Sequence, residues 1–297
     1  MNHRVIQVAT LATFVAIACG RERLPVSEKT PDSVRLAGRN AGGTARVWDD
    51  SLGPVIATPS IQNGTPVLFL NDTANTAELA VELFTHEGQT TRATLRPLAH
   101  RHQCAWERGA VLLPDADQSL PVAWLLALAP GVATPIAIDG IGDLLPRDSA
   151  ALAVRIHRLV SALPDDSVSA PFRGLPILVR DAWRFQLEEG GTAVVAVAMR
   201  ALNVESNPRA EVTTILMEPD TAAGTDAWRP GFARRDAGPE DRVEGTDLLA
   251  AVRLRSGRSA VALAREGENG LQVDIVERAE PGSWHVRWSS AALPCAR

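Results

Sequence analysis

Two histidines and a cysteine form the densest group of potentially reactive side chains in the sequence. His100, His102 and Cys104 alternate along the chain, and alternate residues of a β-strand point to the same face. Two imidazoles and a thiolate could bind zinc or copper, so a metal site at His100 and His102 is one hypothesis. No fourth ligand stands nearby. The favoured interpretation is two exposed histidines beside a disulfide-bonded cysteine, with no metal or other cofactor.

Two further groups could bind a ligand. Trp284 and Trp288 are four residues apart in a predicted strand and would share one face with Val286. Exposed, this pair would form a platform for sugar rings, although burial in the core is favoured for tryptophan in a strand. The polar segment with Asn207 and Arg209 interrupts a predicted meander, and such loops often carry binding residues. A solvated hairpin tip is the favoured interpretation there.

Aspartates that could act as acids or bases cluster at two places, Asp115 with Asp117, and Asp139 with Asp143 and Asp148. Paired carboxylates can perform general acid–base chemistry or bind calcium. Each of these aspartates also lies near Gly or Pro, where Asp is a common turn and cap residue. The turn or cap role is the favoured interpretation.

Several common catalytic motifs are absent from the sequence. It contains no G-x-x-x-x-G-K-[ST], no G-x-S-x-G and no H-E-x-x-H. Its single lysine, Lys29, stands in a polar segment near the N-terminus, which argues against a lysine-based phosphate site or Schiff base. The sequence therefore favours a non-catalytic protein.

The N-terminus has the layout of a bacterial export signal. A short basic start precedes the apolar stretch from Val5 to Ala18, which is too short to span a bilayer as a helix. Cys19 follows the small residue Ala18, and this arrangement resembles the lipobox of bacterial lipoproteins, although leucine is usual at the position of Ala16. The resemblance implies a signal peptide over 1–18, a lipid on Cys19 and a bacterial cell-envelope location. The alternative is an ordinary signal peptide.

Composition divides the remaining chain. Residues 19–43 are charged and rich in Pro and Gly, which predicts a disordered tether. We expect a β domain over 44–147 and a second domain, a helix with β-meanders, over 148–297. The net charge of −5 argues against a nucleic-acid partner.

The cysteine count predicts one disulfide. If Cys19 carries a lipid, Cys104 and Cys295 remain as a pair in an oxidising compartment, where a disulfide is the usual state. The bond would join the two halves of the chain and would leave no thiolate at Cys104 for a metal.

The local patterns are mostly those of strands. Hairpins are predicted for 78–85 with 91–98 and for 122–128 with 134–139, the second turning at Pro130-Gly131. Residues 148–163 have helical spacing of apolar side chains after Asp148 and end before Pro164. Two meanders follow, and the polar segment 218–245 between them is expected to be a long loop.

The two meanders resemble the blades of FG-GAP-like β-propellers in the placement of their turns. Such blades often bind calcium through a D-x-D-x-D-G loop. The matching turns here are LEEGG at 187–191 and REGENG at 265–270, so the calcium-binding role does not carry over.

These observations predict a mainly β protein of antiparallel meanders and hairpins, in one or two domains, with a single amphipathic helix near 148–163. The expected function is that of a non-catalytic envelope lipoprotein with a binding or scaffold surface, anchored to a membrane and facing an envelope protein or a glycan. The alternatives are an extracytoplasmic hydrolase or metal enzyme with a site near His100 and His102, and a glycan-binding module that uses Trp284 and Trp288.

Overall fold

The structure is a computed structural model, and it describes the larger part of the chain after residue 77. The described residues are 52, 55–57, 67–69, 78–101, 108–114, 121, 123–164, 166–187, 190–203, 205–224, 227–290 and 292. All of them belong to one compact unit, Ser33–Arg297. The predicted signal peptide, the tether and all three cysteines lie outside the described residues.

The described residues form sixteen strands and one α-helix, which confirms the predicted mainly β class. The strands are β1 Val55–Ala57, β2 Val67–Phe69, β3 Leu79–Thr85, β4 Thr90–Arg101, β5 Arg108–Pro114, β6 Trp124–Leu128, β7 Ala133–Ile136, β8 Ile138–Gly140, β9 Leu178–Gln186, β10 Thr192–Leu202, β11 Arg209–Pro219, β12 Trp228–Pro239, β13 Gly245–Leu254, β14 Ser259–Gly267, β15 Gly270–Glu280 and β16 Ser283–Ser289. The helix α1 is Pro146–Ala162, and short 3-10 helices lie at Ile141–Asp143 and Ala170–Phe172.

The strands are arranged in three antiparallel sheets. The first six form a closed barrel in the order β1-β2-β5-β4-β3-β6. A five-stranded sheet in the order β12-β11-β10-β9-β8 is called here the helix-side sheet, and one in the order β16-β15-β14-β13-β7 is called the barrel-side sheet. β7 belongs to the barrel-side sheet and β8 belongs to the helix-side sheet. Both strands precede residue 147, so the predicted boundary between 147 and 148 does not separate one sheet from another.

The sheets are packed in layers, and this explains the long apolar runs in their central strands. Helix α1 packs on the outer face of the helix-side sheet, the inner faces of the two sheets pack together, and the barrel packs on the other face of the barrel-side sheet. In β10, Val194 and Ala196 face the helix while Val195 faces the second sheet. A strand covered on both faces needs apolar residues at every position, without polar alternation.

The helix forms where the sequence predicts it, and it begins two residues earlier. Pro146 occupies the first turn, where its missing N–H costs nothing, and Asp148 lies in the same turn, where a negative charge is favourable. Leu152, Ile156 and Val160 recur at every fourth residue and are buried against the helix-side sheet.

The hairpin of β3 and β4 is also confirmed. Its strands pair from Leu79 with Leu95 to Phe84 with Thr90. Val81 and Leu83 are buried in one apolar cluster with Leu79 packed against it, as the alternating pattern predicts.

The second predicted hairpin, 122–128 with 134–139, is wrong. A turn does occur at Pro130-Gly131, but the strands on either side of it do not pair with each other. β6 pairs with β1 and β3 in the barrel, whereas β7 pairs with β13 in the barrel-side sheet. The turn is where the chain leaves the barrel for the layered sheets.

The predicted long loop over 218–245 is also wrong, because it contains the twelve-residue strand β12. β12 is the edge strand of the helix-side sheet, and an edge position tolerates Pro230 and Gly231. Its polar side chains are accommodated by ion pairs, as with Arg234, which donates to Asp274 at 3.2 Å. The polar, Gly- and Pro-containing composition that predicted a loop is therefore the composition of an edge strand.

Each of the two sheets contains a four-stranded meander, β9 to β12 and β13 to β16. The second lies where it is predicted, whereas the first continues beyond its predicted end into β12. Each also gains a fifth strand, β8 or β7, from the preceding part of the chain. The resemblance to propeller blades stays a prediction.

Candidate functional site: a groove along open strand edges

The two fifth strands cover only part of the edges on which they lie. β7 pairs with β13 from Ala251 to Leu254, and β8 pairs with β9 from Trp183 to Phe185. On the sides that face away from β14 and β10, no strand among the described residues lies beside 245–247 of β13 or beside 178–182 of β9. Both sheets therefore have an open stretch of edge with backbone N–H and C=O groups that no strand pairs.

The point at which β7 leaves β13 is held by the tip of the β3–β4 hairpin. The backbone N–H of Ile138 donates to the carbonyl of His86 at 2.8 Å, and His86 Nε2 lies 2.7 Å from the carbonyl of Leu248. A carbonyl oxygen only accepts, so His86 Nε2 carries the hydrogen. A Cβ atom on Gly88 would lie 3.1 Å from the backbone nitrogen of Ala137. The open edge of β13 begins beside this close contact.

Two adjoining cavities follow the open edges. The first, of about 340 Å³, runs around the edge of β13, and the second, of about 390 Å³, lies between the sheets; both are lined by Arg180 and Gly245. Together they form one feature, called here the groove. Its buried floor includes Val197 and Val212, with Met199 half-buried beside them.

The rim of the groove is ionic. Asp181, Asp247 and Glu266 contribute carboxylates, and Arg180 is exposed beside Asp181. The pKa of Asp247 is raised, first by partial removal from water and then by the negative charges of Asp181 and Glu266, although Arg180 opposes the shift. This part of the rim therefore has an excess of negative charge.

Both strands that line the groove carry a β-bulge at this place. In β9, Asp181 pairs with Val197 and Val179 pairs with Ala198, so Arg180 is the extra residue. A bulge interrupts the alternation of side chains, and it accounts for two consecutive charged residues, Arg180 and Asp181, lining the same groove.

The bulge in β13 is at Leu249, between the pairs Leu248–Leu263 and Ala250–Ala262. Leu249 and Ala250 both pack on the barrel side, whereas Leu248 and Ala251 pack between the sheets. The open end of β13 is therefore turned relative to the part that β7 covers.

Buried polar contacts hold the strands that form the groove. The hydroxyls of Thr246 and Thr214 lie 3.0 Å apart between the two sheets. Arg265 donates to Asp274 at 2.7 Å and also pairs with Glu244, immediately before Gly245. Burial disfavours the charged form, but Asp274 and Glu244 outweigh it and raise the pKa of Arg265. These contacts cross-link the strands that form the walls of the groove.

The tryptophans predicted as a possible platform lie on opposite faces of β16, which corrects their predicted shared face. Trp284 is buried between the sheets, with Val286 packed beside it, and Trp288 is buried on the barrel side. A bulge at Arg287 separates them, because Val286 pairs with Val276 while Trp288 pairs with Ile275. With both side chains buried, as the sequence favoured, the glycan platform is not formed.

The other predicted site residues are spread over the chain. Asn207 is exposed at the β10–β11 turn and Arg209 is half-buried, and neither lines the groove. His100 lies in β4, and nothing is described of its side chain. The metal hypothesis at His100 and His102 stays a prediction, as His102 lies outside the described residues. The lipid on Cys19 and the disulfide between Cys104 and Cys295 also stay predictions.

Asp143 has the turn role that the sequence favoured, whereas Asp139 lies in strand β8 and forms an ion pair. Asp143 accepts from the backbone N–H of Gly140 at 3.1 Å, and Asp139 pairs with Arg184 at 3.0 Å. The described residues contain no group of three His, Cys, Asp or Glu side chains that could hold a metal ion. None of the helices among them is long and apolar enough to cross a membrane.

The residues of the groove were not predicted. The available signal was the adjacent charged pair Arg180 and Asp181 inside an otherwise strand-like segment, which regular alternation does not explain. Nothing in the sequence indicated that Asp247 would lie near them, because the open edges depend on where β7 and β8 end.

Comparison with protein-family models, with curated proteins and with solved structures finds no match for this chain.

Proposed function

We propose that this protein is a non-catalytic binding protein that takes a polypeptide segment into the groove. The observation that carries the proposal is the open edge of β13 at 245–247, which, among the described residues, borders a cavity instead of a fifth strand. Unpaired strand edges are the places where proteins bind extended segments of other chains. The proposal is a more definite form of the binding surface expected from the sequence.

The composition of the groove supports recognition. Val197 and Val212 give it a buried apolar floor, and Asp181, Asp247 and Glu266 give it a charged rim. Ligand sites commonly combine an apolar surface with a few polar groups that fix orientation. The described residues that line the groove include no His, Ser or Cys.

The location proposed for this binding protein is the bacterial cell envelope, with a lipid on Cys19 as the membrane anchor and an envelope protein as the partner. Its support is the lipobox-like sequence alone. Cys19→Ser should abolish acylation and release the protein from the membrane fraction. Mass spectrometry that finds no acyl group on Cys19 of the wild-type protein, together with unchanged partitioning of the variant, would contradict the anchor.

The binding function can be tested by filling the groove. A Cβ atom on Gly245 would have only the carbonyl oxygen of Glu266 near it, at 3.8 Å, so Gly245→Trp should fold and place its ring in the groove. Gly142→Trp is the matched control, because a Cβ atom there would meet nothing within 4 Å and Gly142 does not line the groove.

Peptides selected on the wild-type protein from a displayed library of random linear sequences are the probe. We expect Gly245→Trp to weaken their binding at least about tenfold, a loss of roughly 1.4 kcal/mol, and Gly142→Trp to leave it unchanged. If the library yields no binder, or if the binders tolerate Gly245→Trp, the proposed function is wrong.

The second candidate function is that of an acid–base enzyme. Its active site would be in the groove, and not near His100 and His102 as the sequence suggested for an enzyme. The observation that favours it is the raised pKa of Asp247 close to Asp181, since perturbed carboxylates in clefts are frequent in active sites. Turnover of a chromogenic ester, glycoside or phosphoester by the wild type, lost in Asp247→Asn, would favour this candidate over the binding protein.

A further inference from the structure

The geometry of the groove points to the kind of segment that it binds. We propose that the occupant is an extended, basic segment of a partner polypeptide, which adds as a strand to β13 at 245–247 and places a Lys or Arg side chain beside Asp247. This inference rests on the proposed function and deepens it.

The open edge of β13 continues the line of β7. β7 pairs with β13 as far as Ala251 and the chain then crosses to the helix-side sheet. An added strand would therefore occupy the fifth position of the barrel-side sheet, in line with β7. The carbonyl of Leu248 already contacts His86, so the open stretch is 245–247, and at about 3.3 Å per residue it spans roughly 10 Å, which is enough for a short added strand.

β9 forms the opposite wall of the groove. β9 presents its own open stretch, and Leu178 in that stretch is 59% exposed. Alternate side chains of an added strand would point toward the apolar floor and away from it. The floor side offers contacts with Val197, and the other side brings a side chain to the acidic rim.

The rim of the groove carries more negative than positive charge. Among the described residues that line this rim, the carboxylates of Asp181, Asp247 and Glu266 stand against the single guanidinium of Arg180. The raised pKa of Asp247 reflects partial removal from water and its repulsion by the other two carboxylates. An ammonium or guanidinium group from a ligand would relieve that repulsion, so a basic side chain is the complementary one.

The same charges argue against a second copy of this chain. Two copies that paired edge to edge along β13 would bring two sets of acidic side chains together, and like charges at a shared edge oppose such pairing. A partner segment of opposite charge avoids this repulsion.

The experiment uses a lysine-containing peptide from the selection described above, bound to the full chain. Each backbone amide of the peptide is N-methylated in turn, which removes one hydrogen-bond donor at a time. Strand addition predicts that alternate positions lose about tenfold in affinity and that the positions between them lose little.

The basic side chain is tested with a double-mutant cycle. Replacing the peptide lysine with Gln should weaken binding several-fold to the wild type and have a clearly smaller effect on Asp247→Asn. Glu268→Gln is the matched control, because Glu268 is an exposed acid that does not line the groove, and the lysine effect should persist in it.

Three results would overturn this inference and leave the proposed function intact, provided that binding is still lost in Gly245→Trp. One is a loss of affinity on N-methylation that does not alternate from one peptide position to the next. Another is a lysine-to-Gln effect on binding that is as large in Asp247→Asn as in the wild type. The third is an occupant from the protein itself, seen either as dimerisation that Gly245→Trp abolishes or as tighter binding of a synthetic peptide of residues 21–43. Failure to select any peptide would overturn both.

Discussion

Glu218 of β11 and Arg278 of β15 form a buried ion pair that connects the two layered sheets. The guanidinium donates through Nε and through a second nitrogen to the two carboxylate oxygens, each at 2.8 Å. Trp284 Nε1 donates to the same carboxylate at 2.6 Å and the backbone N–H of Gly282 at 3.0 Å. With four donors, the carboxylate is well satisfied despite its burial, and it fixes the position of β16 against β11.

Glu218→Gln should destabilise the protein strongly. The substitution keeps the shape of the side chain but removes the negative charge that Glu218 places beside the buried Arg278 guanidinium, and loss of one partner of a buried ion pair typically costs about 3–5 kcal/mol. Urea unfolding followed by tryptophan fluorescence would measure the change. Glu268→Gln is the control, since its pair with Arg242 is exposed on both sides and should contribute less than about 1 kcal/mol. Equal effects of the two substitutions would contradict the role given to Glu218.

Gly231→Ala should destabilise the protein through overpacking. A Cβ atom on Gly231 would lie 2.6 Å from Cδ1 of Trp284 and 3.0 Å from the backbone of Gly282. The ring is buried and cannot move away freely, so we expect a cost of about 1–3 kcal/mol. Gly238→Ala, in the same strand with open space at its Cβ position, should cost clearly less. If the two variants unfold at the same denaturant concentration, the close approach of β12 to β16 is refuted.

Ile156→Ala should cost about 2–5 kcal/mol, the range for truncation of a large buried aliphatic side chain. Ile156 is completely buried between α1 and the helix-side sheet, whereas Val154 on the same helix is 60% exposed. Val154→Ala should therefore change the free energy of unfolding very little. Chemical denaturation of both variants provides the measurement, and a near-zero effect of Ile156→Ala would contradict the packing of the helix.

Asp247→Asn should stabilise the protein near neutral pH and lose this effect in acid. The raised pKa of Asp247 means that the folded protein binds this proton more tightly than the unfolded chain does. The stability from this group is therefore fully present below the ordinary Asp pKa of about 4 and is lost as the pH rises through the higher folded value. Because Asp247 is exposed, we expect a gain of a few tenths of a kcal/mol.

The measurement is the difference in free energy of unfolding between the wild type and Asp247→Asn, determined at about pH 7 and about pH 3. The difference removes the contributions of other titrating groups that the two proteins share. A variant that is less stable than the wild type at neutral pH would contradict the raised pKa and with it the crowding of carboxylates on the rim.

Patterns carried by neighbouring residues were read correctly from the sequence. The β3–β4 hairpin follows from strict alternation and a polar turn, and α1 follows from apolar residues at helical spacing after Pro146. The meander β13 to β16 follows from four strand-like runs separated by Gly-containing turns. In each case the structure is decided within one element or between consecutive elements, where the sequence period and the turn residues act directly.

The errors arose where partners distant in the sequence decide the structure. β12 has the composition of a loop and becomes a strand because β11 offers it an edge. Trp284 and Trp288 have the spacing of one face, and a single extra residue, Arg287, places them on opposite faces. A bulge depends on the register with the neighbouring strand, which local alternation cannot reveal.

The sequence by itself determined the mainly β class, the helix, the consecutive meanders and the residue types available for recognition. Only the tertiary structure decided the groove, because it exists where β7 stops pairing with β13 and β8 begins to pair with β9. That crossing brings Asp247 close to Asp181, although 65 positions separate them in the chain. A strand edge is open when no neighbouring strand pairs with it, and no local pattern of residues along the strand specifies that.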